Sequence, residues 1–135
     1  MMQLDHVAYL VRDADQALAA LRPFAPRVVL DRHPLPSQKA YITMVEMPGG
    51  GPRTELVEPF PENHTMRARL DREGVDSLLY HSGYVVTDFD GQFRSLRAGG
   101  WLPLTKPFEG LSPGCRASHL YHPGFGIVEI MEATA

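Results

Sequence analysis

Leu4-Asp5-His6-Val7-Ala8-Tyr9-Leu10-Val11-Arg12-Asp13-Ala14-Asp15 is answered by Leu79-Tyr80-His81-Ser82-Gly83-Tyr84-Val85-Val86-Thr87-Asp88-Phe89-Asp90, with Leu, His, Tyr, Val, Asp and Asp recurring at a constant offset of 81 − 6 = 75. An internal repeat of this kind decides the architecture before any residue propensity does. The chain has 135 residues, room for one ordinary domain with a real core, so the repeat builds one domain from two halves.

Working outward from the first copy, Leu4 to Val11 is apolar and β-branched without Gly or Pro, which predicts a strand with His6, Leu4, Ala8 and Leu10 on one face. Asp13 and Asp15 are N-cap residues ahead of a short helix through Gln16–Arg22, closed by Pro23. Strands are expected over Arg27–Arg32, Tyr41–Met47 and Arg53–Glu58. The first of these is broken by His33-Pro34-Leu35-Pro36-Ser37, and the last two are joined by the turn Pro48-Gly49-Gly50-Gly51-Pro52. This half reads β-α-β-β-β and occupies 1–60. A linker helix fills 61–78, with Met66 and Leu70 on one side and Gly74 at its C-cap.

The second module, 79–135, repeats the order. It has a strand over Leu79–Thr87, a helix capped by Asp88 or Asp90 and stopped by Gly99-Gly100, and an edge strand over Trp101–Pro107. Strands Cys115–His122 and Ile127–Glu132 close it. Pro123-Gly124 matches Pro48-Gly49 at the same offset, whereas the closing strands align at 129 − 55 = 74, because the first hairpin turn carries one extra Gly. The fold class is α+β, with two paired β-α-β-β-β modules.

Composition narrows the partners. The formal net charge is −3, with no Lys/Arg block and no basic aromatic stripe, so a small molecule is expected rather than nucleic acid or an anionic membrane. Cys115 is the single cysteine and allows no internal disulfide. No apolar run approaches a membrane span, and the N-terminus enters a strand pattern without a secretion signal, which makes the cytoplasm the expected compartment.

The repeat sets out four potential metal ligands as two pairs, His6 with Glu55 and His81 with Glu129, each joining the first strand of a module to its last. Two imidazoles and two carboxylates suit a borderline divalent ion, Zn, Ni, Co, Mn or Fe, with positions left for water or substrate. Glu58 and Glu132 recur as well and fall on the opposite strand face. His33, His64, His119 and His122 have no histidine at the repeat offset and are not read as ligands. Arg116, Ser118 and His119 are candidates for binding substrate, because one face of their strand is expected to line a cavity. The Gly/Pro-rich loop from Glu109 to Arg116 is a candidate lid.

Four stretches carry a resemblance: Leu4–Asp13, Thr54–Pro59, Leu79–Asp88 and Tyr121–Ile130. On them the chain resembles the vicinal oxygen chelate superfamily, which includes glyoxalase I, methylmalonyl-CoA epimerase, extradiol dioxygenases and bleomycin-resistance proteins. The resemblance implies a partly open eight-stranded barrel, often in a homodimer, with metal at His6, Glu55, His81 and Glu129. In layout the chain looks most like methylmalonyl-CoA epimerase. It departs from the epimerases just before the third strand, where they carry an acidic base and this chain has Pro36-Ser37-Gln38-Lys39. The expected activity is that of a metal-dependent lyase or isomerase working through a metal-chelated enolate, with Glu129 or Glu55 moving the proton and Glu129 preferred. The alternatives are an iron-dependent extradiol-type dioxygenase, and a metal-free protein of antibiotic resistance or natural-product biosynthesis.

Overall fold

Asp13 and Asp88, the repeated aspartates, each end a strand and cap a helix. The Asp13 carboxylate accepts from the backbone N–H groups of Asp15 (2.8 Å) and Gln16 (3.3 Å), and that of Asp88 accepts from Gly91 N–H (3.0 Å). The computed structural model describes residues 1–134. In chain order its regular elements are β1 (Met2–Val11), α1 (Ala14–Leu21), β2 (Arg27–Leu35), β3 (Ala40–Glu46), β4 (Arg53–Pro59), α2 (His64–Glu73), β5 (Ser77–Val86), α3 (Phe89–Ala98), β6 (Leu102–Pro103), β7 (Phe108–Glu109), β8 (Arg116–His122) and β9 (Gly126–Glu132). Two compact units result: a leading half, His6–Tyr80, and a trailing half formed by the chain from His81 onward with Met1–Asp5.

In the leading half the strands lie in the order β2-β3-β4-β1, with β1 parallel to β4 and the other pairs antiparallel. The core holds Ala8, Leu10, Ala14, Ile42, Met44, Leu56, Val57 and Leu70. Each large aliphatic side chain fully removed from water contributes about 1.5–3 kcal/mol. Helix α2 starts where the Asn63 side chain accepts from Met66 N–H and donates to the carbonyls of Gln38 and Lys39. It ends at Gly74, whose φ of 64° is the left-handed conformation of a C-cap. Arg12 ties the end of β1 to this region through Asp71 (2.7 Å) and Asp76 (3.2 Å).

Strand β2 does not stop at Arg32 as its prolines predict; it continues through Pro34 to Leu35. It is the terminal strand, so a proline without an N–H is tolerated there. The register against β3 slips twice, between Val28 and Leu30 and between Leu30 and His33. At the second slip Arg32 takes a φ of 40°, and its N–H donates to the Thr43 hydroxyl at 3.1 Å instead of to a ladder carbonyl.

In the trailing half the order is β5-β9-β8-β6, with β7 also on β8 and β5 parallel to β9. The single edge strand expected over Trp101–Pro107 is instead two short strands. Pro103 and Pro107 supply no N–H; the edge pairs with β8 at Leu102–Pro103 and at Phe108–Glu109, and between them Leu104 N–H donates to the His119 carbonyl. Helix α3 packs Phe89, Phe93 and Leu96 on Val86, Leu120, Val128 and Ile130. Strand alternation then puts His81, His119 and Glu129 on the face turned away from α3. No helix among the described residues is long and apolar enough to cross a membrane.

Candidate metal centre

The two closing glutamates occupy the same place in their halves. Glu55 stands beside Ala8 on β1, and Glu129 beside Gly83 on β5, in both cases two residues along from the histidine. In the leading half the His6 Nε2 to Glu55 Oε2 distance is 3.6 Å, and in the trailing half His81 Nε2 lies 3.6 Å from Glu129 Oε1. All four residues are buried, with exposures of 1%, 5%, 3% and 8% for His6, Glu55, His81 and Glu129. A carboxylate withdrawn from water to this degree needs a cationic or hydrogen-bonding partner to offset its lost hydration. Donors bound to one ion at about 2.0–2.2 Å stand roughly 3–4 Å apart, so either pair matches the spacing of co-ligands. Imidazole nitrogen with carboxylate oxygen is a donor set for Zn, Fe, Co, Ni or Mn, and these residues fit such an ion.

Trailing strand β8 adds to this cluster a residue that the repeat does not single out. His119, 3% exposed, faces Glu129 across the β8–β9 ladder, and its Nε2 lies 3.0 Å from Glu129 Oε2. The corresponding neighbour of Glu55 in the leading half is Met44. Because no histidine stands at the repeat offset, the repeat hides His119 as a member of this buried cluster. The signal that reveals it is its in-phase position on a strand pairing with the Glu129 strand.

The other recurring glutamates serve the scaffold. Glu58 accepts from Ala14 N–H at 2.8 Å and from Arg32 at 2.5 Å, and the Arg32 guanidinium lies 4.6 Å from the Tyr41 ring centre. The Glu58 hydrogen bond raises the Arg32 pKa. Glu132 accepts from the backbone N–H (2.9 Å), Nε (3.3 Å) and Nη2 (2.9 Å) of Arg116, which holds the carboxyl below its ordinary range. Arg116 also donates to Asp90 at 2.9 Å and covers the Phe89 ring.

Of the three substrate-binding candidates, only His119 therefore lies with His81 and Glu129. Arg116 is engaged with Glu132 and Asp90, and the Ser118 hydroxyl donates to the Thr105 carbonyl at 3.0 Å. The loop from Glu109 to Arg116 is closed on itself by Gly110 N–H to the Cys115 carbonyl and Gly114 N–H to the Glu109 carboxylate. His122 packs against Trp101 and accepts from Gly124 N–H, His33 lies on β2 and His64 begins α2.

No curated protein sequence matches the chain. Solved structures with a similar fold include methylmalonyl-CoA epimerase from Mycobacterium tuberculosis, 23% identical with a TM-score of 0.80 over 98% of this chain and 88% of that one. A methylmalonyl-CoA epimerase in complex with methylmalonyl-CoA and NH4+ is 22% identical, with a TM-score of 0.79 over 100% of this chain and 96% of the other. A hypothetical protein from Bacillus halodurans C-125 is 20% identical, with a TM-score of 0.79 over 99% and 96%. The α+β arrangement of paired β-α-β-β-β modules is thus the fold of these proteins. Residues 5–118 match the family model described as glyoxalase/bleomycin resistance protein/dioxygenase superfamily, and with most of its length inside that match the chain belongs to this superfamily.

Proposed function

We propose that the protein is a divalent-metal-dependent isomerase or lyase that removes a proton from the carbon beside a carbonyl of a small acyl substrate. Its metal ligands are His6, Glu55, His81 and Glu129, and it works as a homodimer. The observation that carries this reading is the repetition, in each half, of a buried His–Glu pair at the same 3.6 Å separation. A bound cation supplies positive charge against the negative charge that develops on the substrate oxygens as the proton leaves, and such electrostatic stabilisation dominates the rate gain in chemistry of this kind. The histidines contribute neutral donors held rigidly on strands, and a glutamate, Glu129 or Glu55, takes the proton and returns it.

Between β2 and β3 the chain has Pro36-Ser37-Gln38-Lys39, with no carboxylate. That favours a single glutamate acting as both acceptor and donor over a mechanism with two separate acidic bases. The test is elemental analysis of protein purified without added metal, beside the His6→Ala/His81→Ala variant. The wild type is expected to hold about one ion per chain and the variant none. If the wild type also binds none after stoichiometric Zn, Co or Ni is supplied, the reading fails. Uptake of solvent deuterium at the substrate α-carbon, without oxygen consumption, is the expected signature of the reaction. Oxygen consumption would instead place the chain with ring-cleaving oxygenases.

A further inference from the structure

His119 is the residue by which the trailing half departs from the leading one at the candidate centre. Its backbone is held on both sides, the N–H donating to the Thr105 hydroxyl at 3.0 Å and the carbonyl accepting from Leu104 N–H at 2.8 Å. Its ring stands 4.8 Å from the His81 ring and 5.5 Å from the Phe108 ring, centre to centre. One donor atom from each of His81, His119 and Glu129 can be chosen so that all three lie within 4.8 Å of one another. The separations from Glu129 are 3.6 Å to His81 and 3.0 Å to His119, on different carboxylate oxygens. Ligands of one ion stand roughly 3–4 Å apart at ordinary imidazole and carboxylate bond lengths, a range that holds both separations.

We propose that His119 is a metal ligand, so that the trailing half by itself presents a two-histidine, one-carboxylate set made of His81, His119 and Glu129. This rests on the reading that the protein binds a divalent ion, and adds His119 to the residues that reading assigns to the trailing half. The three donors come from β5, β9 and β8 of a single compact unit, where rigid strands fix their mutual positions. Added imidazole shifts preference toward Zn, Co, Ni or Fe and away from Mg, Ca or Mn, whose sites favour oxygen.

The test uses Co(II) titrated into the full-length metal-free protein, with the absorption spectrum and the number of imidazole ligands from X-ray absorption as readouts. The variant is His119→Met, which installs the residue found opposite Glu55. His119→Gln replaces it if the Met variant does not fold. The expected result is at least about a tenfold loss of Co(II) affinity, together with a fall of one in the imidazole count. An unchanged count overturns the proposal whatever the affinity does, because His119 then acts only from outside the coordination sphere. If the wild type binds Co(II) and the His6→Ala/His81→Ala variant does not, an unchanged count in His119→Met removes this inference and leaves the proposed function standing. A wild type that binds no ion removes both.

Discussion

The leading and trailing halves share a skeleton and diverge at one ladder position beside the buried glutamate, Met44 in one and His119 in the other. Both place a histidine 3.6 Å from a glutamate, and both begin their helix with an aspartate cap. A thioether cannot donate a hydrogen bond and is a poor ligand for a borderline ion, whereas an imidazole is a good one. The trailing side thus holds one more side chain of metal-ligating type than the leading side.

Exchanging the two residues breaks the comparison most sharply. In the His119→Met background, Met44→His is expected to restore about tenfold in Co(II) affinity, by giving Glu55 the neighbour that Glu129 has lost. Isothermal titration measures this. Recovery absent in a folded double variant would mean that the halves are not interchangeable at that position.

The second contrast lies on the opposite strand face. Glu58, its side chain 11% exposed, holds a buried helix-start N–H as well as Arg32, while the more exposed Glu132, at 30%, is bound by Arg116. Glu58→Ala leaves Ala14 N–H without its acceptor and is expected to cost about 2 kcal/mol in urea unfolding. Glu132→Ala should cost less, and equal losses would contradict the structural difference.

The smallest effect is on acid stability. Arg116 depresses the Glu132 carboxyl from its ordinary value of 4.5, so its stabilisation is fully present above that value and is lost as pH falls through the lower folded value. Melting temperatures of wild type and Glu132→Gln are expected to differ near neutrality and to converge below about pH 4. A gap that widens on acidification would reverse the assigned sign.

The sequence repeat, at an offset of 75 for the histidines and aspartates and 74 for the closing glutamates, is enough to expose the His–Glu pairs and the aspartate caps, because each belongs to a local pattern that occurs twice. What it cannot expose are features made by long-range pairing. His119 acquires its meaning only from the residue across the β8–β9 ladder. Pro34 is read as a breaker until β2 is known to be terminal, and Pro103 and Pro107 divide an edge whose pairing depends on β8. Likewise Glu58 and Glu132 recur as regularly as the site glutamates, and only the arginines from other strands, Arg32 and Arg116, disclose that they serve the scaffold.

The left-handed Arg32 on β2 bears on how this chain behaves in a crowd of its own copies. A long terminal strand with a regular row of unsatisfied amides and carbonyls invites another strand to add itself and begin a fibre. Here two register slips interrupt that row, Pro34 removes a donor from it, and Arg27, Asp31 and Arg32 bring charge to it. The irregularity that defeats a simple strand assignment thus blunts the edge against open-ended growth.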